Sequence, residues 1–177
     1  LPIQSGSNRI LKAMNRHYTN EDYIELVGRI RKSIPEIALT TDIIVGFPGE
    51  TEQDFDQTLN IVKKIKFDSA FTFMYSPRTG TPAAIMEQQI SDDVKKERLA
   101  KLMETQNEIT GEINKAYQDK IVEVLVEGPG KNDPNLLSGR TRTNKLVNFK
   151  GDTNTIGCLA DVNITQAKNW TLKGIMI

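Results

Sequence analysis

The fold turns on Thr40-Thr41-Asp42-Ile43-Ile44-Val45-Gly46-Phe47-Pro48-Gly49-Glu50-Thr51. Ile37 to Phe47 is short and rich in β-branched and apolar residues, the composition of a buried strand. Pro48-Gly49 ends it. Thr51-Glu52-Gln53-Asp54 has the form of a capping box: a hydroxyl to accept from the first helical turn, and an acid three residues on. Phe55, Leu59, Val62 and Ile65 follow at helical spacing. The pattern continues outward on both sides. Upstream, the polar turn Gln4-Ser5-Gly6-Ser7 precedes a short helical pattern from Asn8 to Asn15. Thr19-Asn20-Glu21-Asp22 opens a second capped helix, with Ile24, Val27, Ile30 and Ile34 as its stripe and Pro35 at its end. Downstream, Phe67 to Tyr75 is another apolar run, followed by a loop with two prolines over Ser76–Pro82. Helix–strand–helix–strand with short connections predicts βα units on a parallel sheet. Two strands are too few for such a sheet. The remaining strands are expected upstream of Leu1 or from a partner, and the open edge is expected to favour association.

Beyond the loop the pattern changes. Ser91 to Lys115 is a long helix, with Ser91 as cap and Asp92 and Asp93 complementing its N-terminal dipole. From Lys120 the period becomes two, with Val122, Val124 and Val126 alternating with Glu123, Leu125 and Glu127. Gly128-Pro129-Gly130 is expected to break that strand. Further short β patterns cover 137–143, 146–149, 158–166 and 170–175, which together predict a small barrel. The expected fold class is therefore α/β plus β, divided into 1–116 and 117–177.

Composition narrows the function. Residues 1–116 carry 15 Lys and Arg against 17 Asp and Glu, a net of −2, while residues 117–177 carry 8 against 6, a net of +2. The single cysteine, Cys158, excludes a disulfide framework or a cysteine-built metal centre from these 177 residues. No apolar run approaches the roughly 20 residues of a membrane span. No signal peptide pattern is present, so a cytoplasmic protein is expected. The opening Leu1-Pro2-Ile3-Gln4 reads as a start in mid-domain.

Ligands of parallel sheets bind at the carboxyl ends of the strands. Three segments qualify: 4–7, 46–50 and 75–78. Ordinary βα turns would carry the same glycines. Asp42 lies inside an apolar strand, where a carboxylate is costly unless paired; it is read as a structural anchor rather than a site residue. His17, the only histidine, is read as a surface residue. Trp170, the only tryptophan, is read as barrel core. From Ser138 to Lys150 there are four basic residues and no acid. Arg140 and Arg142 lie two apart, on one face of a strand, with Asn144 and Lys145 at the turn. Guanidinium forks on a small barrel suit RNA phosphates, although a solvated hairpin would look similar.

Several longer motifs then resemble one family. Leu1-Pro2-Ile3-Gln4-Ser5-Gly6-Ser7, Met14-Asn15-Arg16, Thr41 to Thr51 and Tyr75 to Ala83 are similar to the later half of the radical-SAM methylthiotransferases. The last 60 or so residues resemble their TRAM domain, an OB-like RNA-binding barrel. Gly139 to Val147 resembles the tRNA-modifying branch, which adds a methylthio group to carbon 2 of an isopentenylated adenosine beside the anticodon. A ribosomal-protein-modifying branch, and a plain RNA-binding module, are the alternatives. The resemblance implies a partial radical-SAM (β/α) barrel, with S-adenosylmethionine and two [4Fe-4S] clusters in the parent. The cluster cysteines are not in this chain, so the resemblance assigns it no catalytic or metal-ligating residue, and residues 1–177 alone are expected to be inactive. It implies cofactor contacts at Gln4, Ser5, Ser7, Ile44, Gly46, Tyr75 and Ser76. RNA contacts are expected at Arg140, Arg142, Asn144, Lys145 and Lys150, with the anticodon arm of tRNA as partner. Arg78 is expected to face the substrate.

Overall fold

Helix α1 (Asn8–Ala13) starts on Ser7, whose hydroxyl accepts from the Ile10 N–H. Both capping boxes form. Thr19 and Asp22 exchange hydrogen bonds at the start of α2 (Asn20–Ser33), and Thr51 and Asp54 do the same for α3 (Glu52–Ile65). The computed structural model describes residues 1–131 and 133–177, in two compact units, Leu1–Ile109 and Thr110–Ile177.

In the first unit, β1 (Thr40–Val45) and β2 (Ser69–Met74) run parallel, paired from Thr40↔Ser69 to Val45↔Met74. Gln4 bridges to Ile43 on the other side of β1, also in parallel. Its N–H donates to the Asp42 carbonyl at 2.9 Å, and its carbonyl accepts from the Ile44 N–H at 2.9 Å. Three parallel segments result, with α1 and α2 between the first and second and α3 between the second and third. Both strands are shorter than the apolar runs. At Gly46 the backbone enters the left-handed region, at φ 71°, and leaves the sheet. Alternation along β1 buries Thr41, Ile43 and Val45. The opposite face is uncovered among the described residues: Phe71 and Phe73 of β2 are 62% and 52% exposed. The run from Phe67 to Tyr75, which by composition also reads as a buried strand, is therefore not one, because nothing among the described residues packs over the face that carries Phe71 and Phe73. Ile3, Ile10, Phe55, Val62 and Phe67 form the buried interior.

Helix α4 (Asp92–Lys115) is one continuous element. The second unit is a closed barrel of five strands: β3 (Ile121–Pro129), β4 (Leu137–Thr141), β5 (Leu146–Lys150), β6 (Leu159–Ala167) and β7 (Leu172–Met176). Their order around the barrel is β3-β4-β5-β7-β6, and β6 returns to β3. Only β5 and β7 run parallel among the neighbours. Val124, Val126, Val147, Phe149, Val162 and Ile164 fill the interior. Gly139 and Gly174 are required by close approach: a Cβ there would sit 2.3 Å from the Leu125 carbonyl oxygen and 2.5 Å from that of Asn163. The expected break at Gly128 does not occur. The register shifts between Val126 and Gly128, Gly128 takes φ 152°, and the strand continues through this bulge to Pro129. Trp170 is also not core. It is 61% exposed, in the connection between β6 and β7, because the interior is already filled by the strand residues. His17 is exposed, as the sequence indicated. Among the described residues no helix is long and apolar enough to cross a membrane.

Candidate functional site

The carboxyl ends of the three parallel segments open on a groove of about 850 Å³. Gln4, Ile44, Tyr75 and Ser76 line it, together with Asp42 and Phe73. Gln4 sits at φ 67°, a conformation uncommon outside glycine, and is locked there by its two sheet hydrogen bonds. The Tyr75 hydroxyl is buried without a hydrogen-bond partner among the described residues, and its ring stands edge-on to Phe47 at 5.2 Å. Asp42 is half-buried and faces this groove, so the sequence reading of a purely structural anchor understates its position. Arg16 and Arg78 reach the groove from two separate loops. A Schellman turn places Arg16: its N–H donates to the Leu11 carbonyl at 2.9 Å, after Asn15 at φ 58°.

Ser5, Ser7 and Gly46 do not line the groove. Their polar groups hold the loops that shape it. The Ser5 hydroxyl accepts from the Ser7 N–H at 3.2 Å and lies 3.4 Å from the Thr58 hydroxyl. Ser7 donates to Asp54 Oδ1 at 2.6 Å. Asp54 is a hub, also accepting from Thr51 and from the Arg9 guanidinium. Burial alone would push its carboxyl up. The hydrogen bonds from Arg9, Ser7 and Thr51 overcome this and hold it well below the usual carboxylate range. The Gly46 N–H donates to Glu50 Oε2 at 2.7 Å. Arg98 of α4 donates to the same oxygen at 2.8 Å and to the Glu50 carbonyl at 3.1 Å. Both side chains of this pair are buried, at 8% and 1% exposure. Desolvation raises the Glu50 carboxyl, and the Gly46 N–H and Arg98 offset part of that. Lys95, also buried, packs against Gly46, so that a Cβ there would meet its Cγ at 2.4 Å. The sequence offered no sign of Arg98 or Lys95 as site supports. They sit in Asp92-Asp93-Val94-Lys95-Lys96-Glu97-Arg98, which reads as a solvated helix face.

On the barrel the expected RNA-facing residues separate. Arg140 and Arg142 are not free of acids: β3 places Glu127 3.8 Å from Arg140 and Glu123 2.7 Å from Arg142. A count along the chain from Ser138 to Lys150 misses acids that lie across the sheet. Lys145 is buried, with its N–H donating to the Thr141 hydroxyl at 3.0 Å. Asn144 turns the chain at φ 61°, and its carbonyl accepts from Arg140 at 3.2 Å. Tyr117, Thr143 and Thr141 bond through their hydroxyls at 2.8 and 2.9 Å and stiffen the same turn. Lys150 is exposed at the end of β5. Among the described residues no cluster of three metal-ligating side chains exists, and Cys158 is exposed. This donor set does not fit an iron–sulfur cluster.

Residues 1–62 match the Radical SAM superfamily and residues 115–177 match the TRAM domain. Across all 177 residues the chain is 59% identical to the tRNA-2-methylthio-N(6)-dimethylallyladenosine synthase of Acetivibrio thermocellus. The likeness to a radical-SAM methylthiotransferase of tRNA thus runs along the whole chain. The protein of the same name from Alkaliphilus oremlandii is 58% identical over 177 residues, again all of this chain. That from Clostridium botulinum (strain Okra) is 59% identical over 174 residues, 98% of the chain. The chain spans 37%, 38% and 39% of these three relatives. Of the groove residues, those from Gln4 to Phe47 lie in the stretch matched to the Radical SAM superfamily and those from Phe73 to Ala83 lie beyond it, while the five-stranded barrel falls in the stretch matched to the TRAM domain.

Proposed function

We propose that this chain supplies the cofactor groove and the RNA-binding barrel of a tRNA methylthiotransferase, which adds a methylthio group to carbon 2 of an isopentenylated adenosine beside the anticodon. The observation that carries the reading is 59% identity over the whole chain to a protein bearing the corresponding name. The groove fits S-adenosylmethionine: an apolar wall of Ile44 and Phe73 suits an adenosyl group, and the unpartnered Tyr75 hydroxyl offers a polar contact. Gln4, Ile44, Tyr75 and Ser76 contact this cofactor directly, while Ser5, Ser7 and Gly46 hold the loops that present them. Bound there, S-adenosylmethionine would supply the radical precursor, and a further S-adenosylmethionine would supply the transferred methyl group. The two [4Fe-4S] clusters are held by residues other than these. Arg16 and Arg78 face the substrate side of the groove.

The barrel has the strand order of an OB fold, and it holds the anticodon arm through Arg140, Arg142, Asn144, Lys145 and Lys150. The functional division into 1–116 and 117–177 keeps α4 with the groove it braces through Arg98. The protein works in the cytoplasm, where its tRNA substrate is found. The open edges of this sheet are where further strands add.

The test is mass spectrometry of tRNA from a strain whose copy of this gene has been deleted and then restored. Restoration is expected to return the methylthio group to isopentenylated adenosine. Unmodified tRNA after restoration, or methylthiolation of a ribosomal protein instead, would overturn the reading.

A further inference from the structure

The barrel surface is polarised by strand. Glu123 and Glu127 of β3 and Asp161 of β6 lie on one side, Glu123 opposite Asp161 in register, and the two arginines of the β4 region turn toward Glu123 and Glu127. The other side is built by β5 and β7. Val147 and Leu172 are paired and buried, so their neighbours Asn148 and Lys173, also paired, point outward. Lys150 lies two residues along on that same outer face, beside Ile175. Lys150 and Lys173 are exposed, and among the described residues neither makes an ion pair.

Trp170 stands two residues before β7 and three before Lys173, and Lys150 lies farther along the same strand pair, beside Ile175. An indole 61% exposed is unusual for the one residue type with the most apolar surface to hide. The connection that carries it is not loose. The buried Asn114 side chain donates to the carbonyls of Lys168 and Asn169, both at 2.9 Å, and the Lys168 N–H closes a tight turn onto the Thr171 carbonyl at 2.9 Å. Lys168, also exposed, adds a third cation. An exposed aromatic residue on an anchored connection, leading into a strand face that carries unneutralised ammonium groups, is the combination that binds single-stranded nucleic acid: bases stack on the ring and phosphates lie along the cations.

We infer that Trp170, Lys173 and Lys150 form a single-stranded RNA platform, with one unpaired base stacked on the indole and the backbone crossing the β5–β7 face. This rests on the RNA-binding reading of the barrel and moves the centre of the interface away from the Arg140–Lys145 turn.

Because Trp170 is the only tryptophan, its own fluorescence reports the contact. The probe is a short single-stranded RNA of anticodon-loop sequence, titrated into this chain, with a duplex of the same composition as control. A parallel filter-binding measurement supplies the affinity. Saturable quenching by the single strand, and little by the duplex, is expected. Trp170→Ala is expected to weaken binding roughly fivefold to a hundredfold, the range of one lost base stack, and Trp170→Phe to keep most of the affinity. Lys150→Ala with Lys173→Ala is expected to lower the salt slope of binding by about 1.4, near 0.7 per lost contact to a single strand. Tight binding with unquenched fluorescence and an unaffected Trp170→Ala would overturn the platform and leave the barrel an RNA binder. Equal quenching by the duplex would also overturn it. A chain that binds no RNA in either measurement would overturn both readings.

Discussion

The two units bury different chemistry. Around the groove the buried set includes Asp54, Glu50 and Arg98, and the loops that follow Gln4 and Val45 are each held by a carboxylate accepting from several donors. In the barrel the central cluster is aliphatic and aromatic, and the ion pairs lie on its outside, where Arg142 is 80% exposed. The difference follows from topology. A closed barrel satisfies its backbone groups by strand pairing alone, so its interior needs only volume. An open parallel sheet must fix the irregular loops at its strand ends, and side-chain acceptors do that here.

Four substitutions test this contrast. Phe149→Ala removes a fully buried ring from the barrel and is expected to cost about 4 kcal/mol, seen as lost hydrogen-exchange protection across β3–β7. Protection that survives unchanged would mean that the interior is not what closes the barrel. Arg98→Ala leaves Glu50 buried without its cation and is expected to cost about 3 kcal/mol for the groove unit. Pairing it with Glu50→Gln is expected to recover part of that loss in chemical denaturation; a double variant no better than the single would show that the charge is not the cause. Asp54→Asn is expected to cost about 2 kcal/mol. It also makes a pH prediction. The folded state depresses this carboxyl, so its stabilisation is complete above the unfolded value of about 4 and is lost as pH falls toward the depressed folded value. Thermal melts of Asp54→Asn between neutral and acid pH are therefore expected to be flatter than those of the parent chain. Glu123→Gln is the mildest. Its exposed pair with Arg142 is worth at most about 0.5 kcal/mol, so the melting temperature is expected to hold. RNA affinity is expected to rise about threefold as an anion leaves the surface. An unchanged affinity would place Arg142 outside the interface.

What the sequence disclosed was local. Thr19–Asp22 and Thr51–Asp54 announced two helix starts because a cap is complete within four residues. Val124 and Val126 announced an inward strand face because alternation is also local. The groove residues Gln4, Ile44, Tyr75 and Ser76 were legible through strand ends and family resemblance, and the structure brings them together. What it concealed was non-local. The acids opposite Arg140 and Arg142 come from another strand, and the partner of Glu50 lies 48 residues away. Ser5 and Ser7 looked available for a ligand, but their hydroxyls are engaged by α3. Trp170 was misplaced because apolarity argued for the interior while its position between two strands decided otherwise.

The parallel contact of β5 with β7 has a consequence for synthesis. β7 is the last barrel strand made, yet it sits between β5 and β6 and joins them. Until Leu172–Met176 has been translated, β5 and β6 each carry an unpaired edge, and four strands cannot close a ring. Closure of the barrel therefore waits for its last strand. A chain stalled before Leu172 is expected to expose two adhesive edges to its neighbours on the same message.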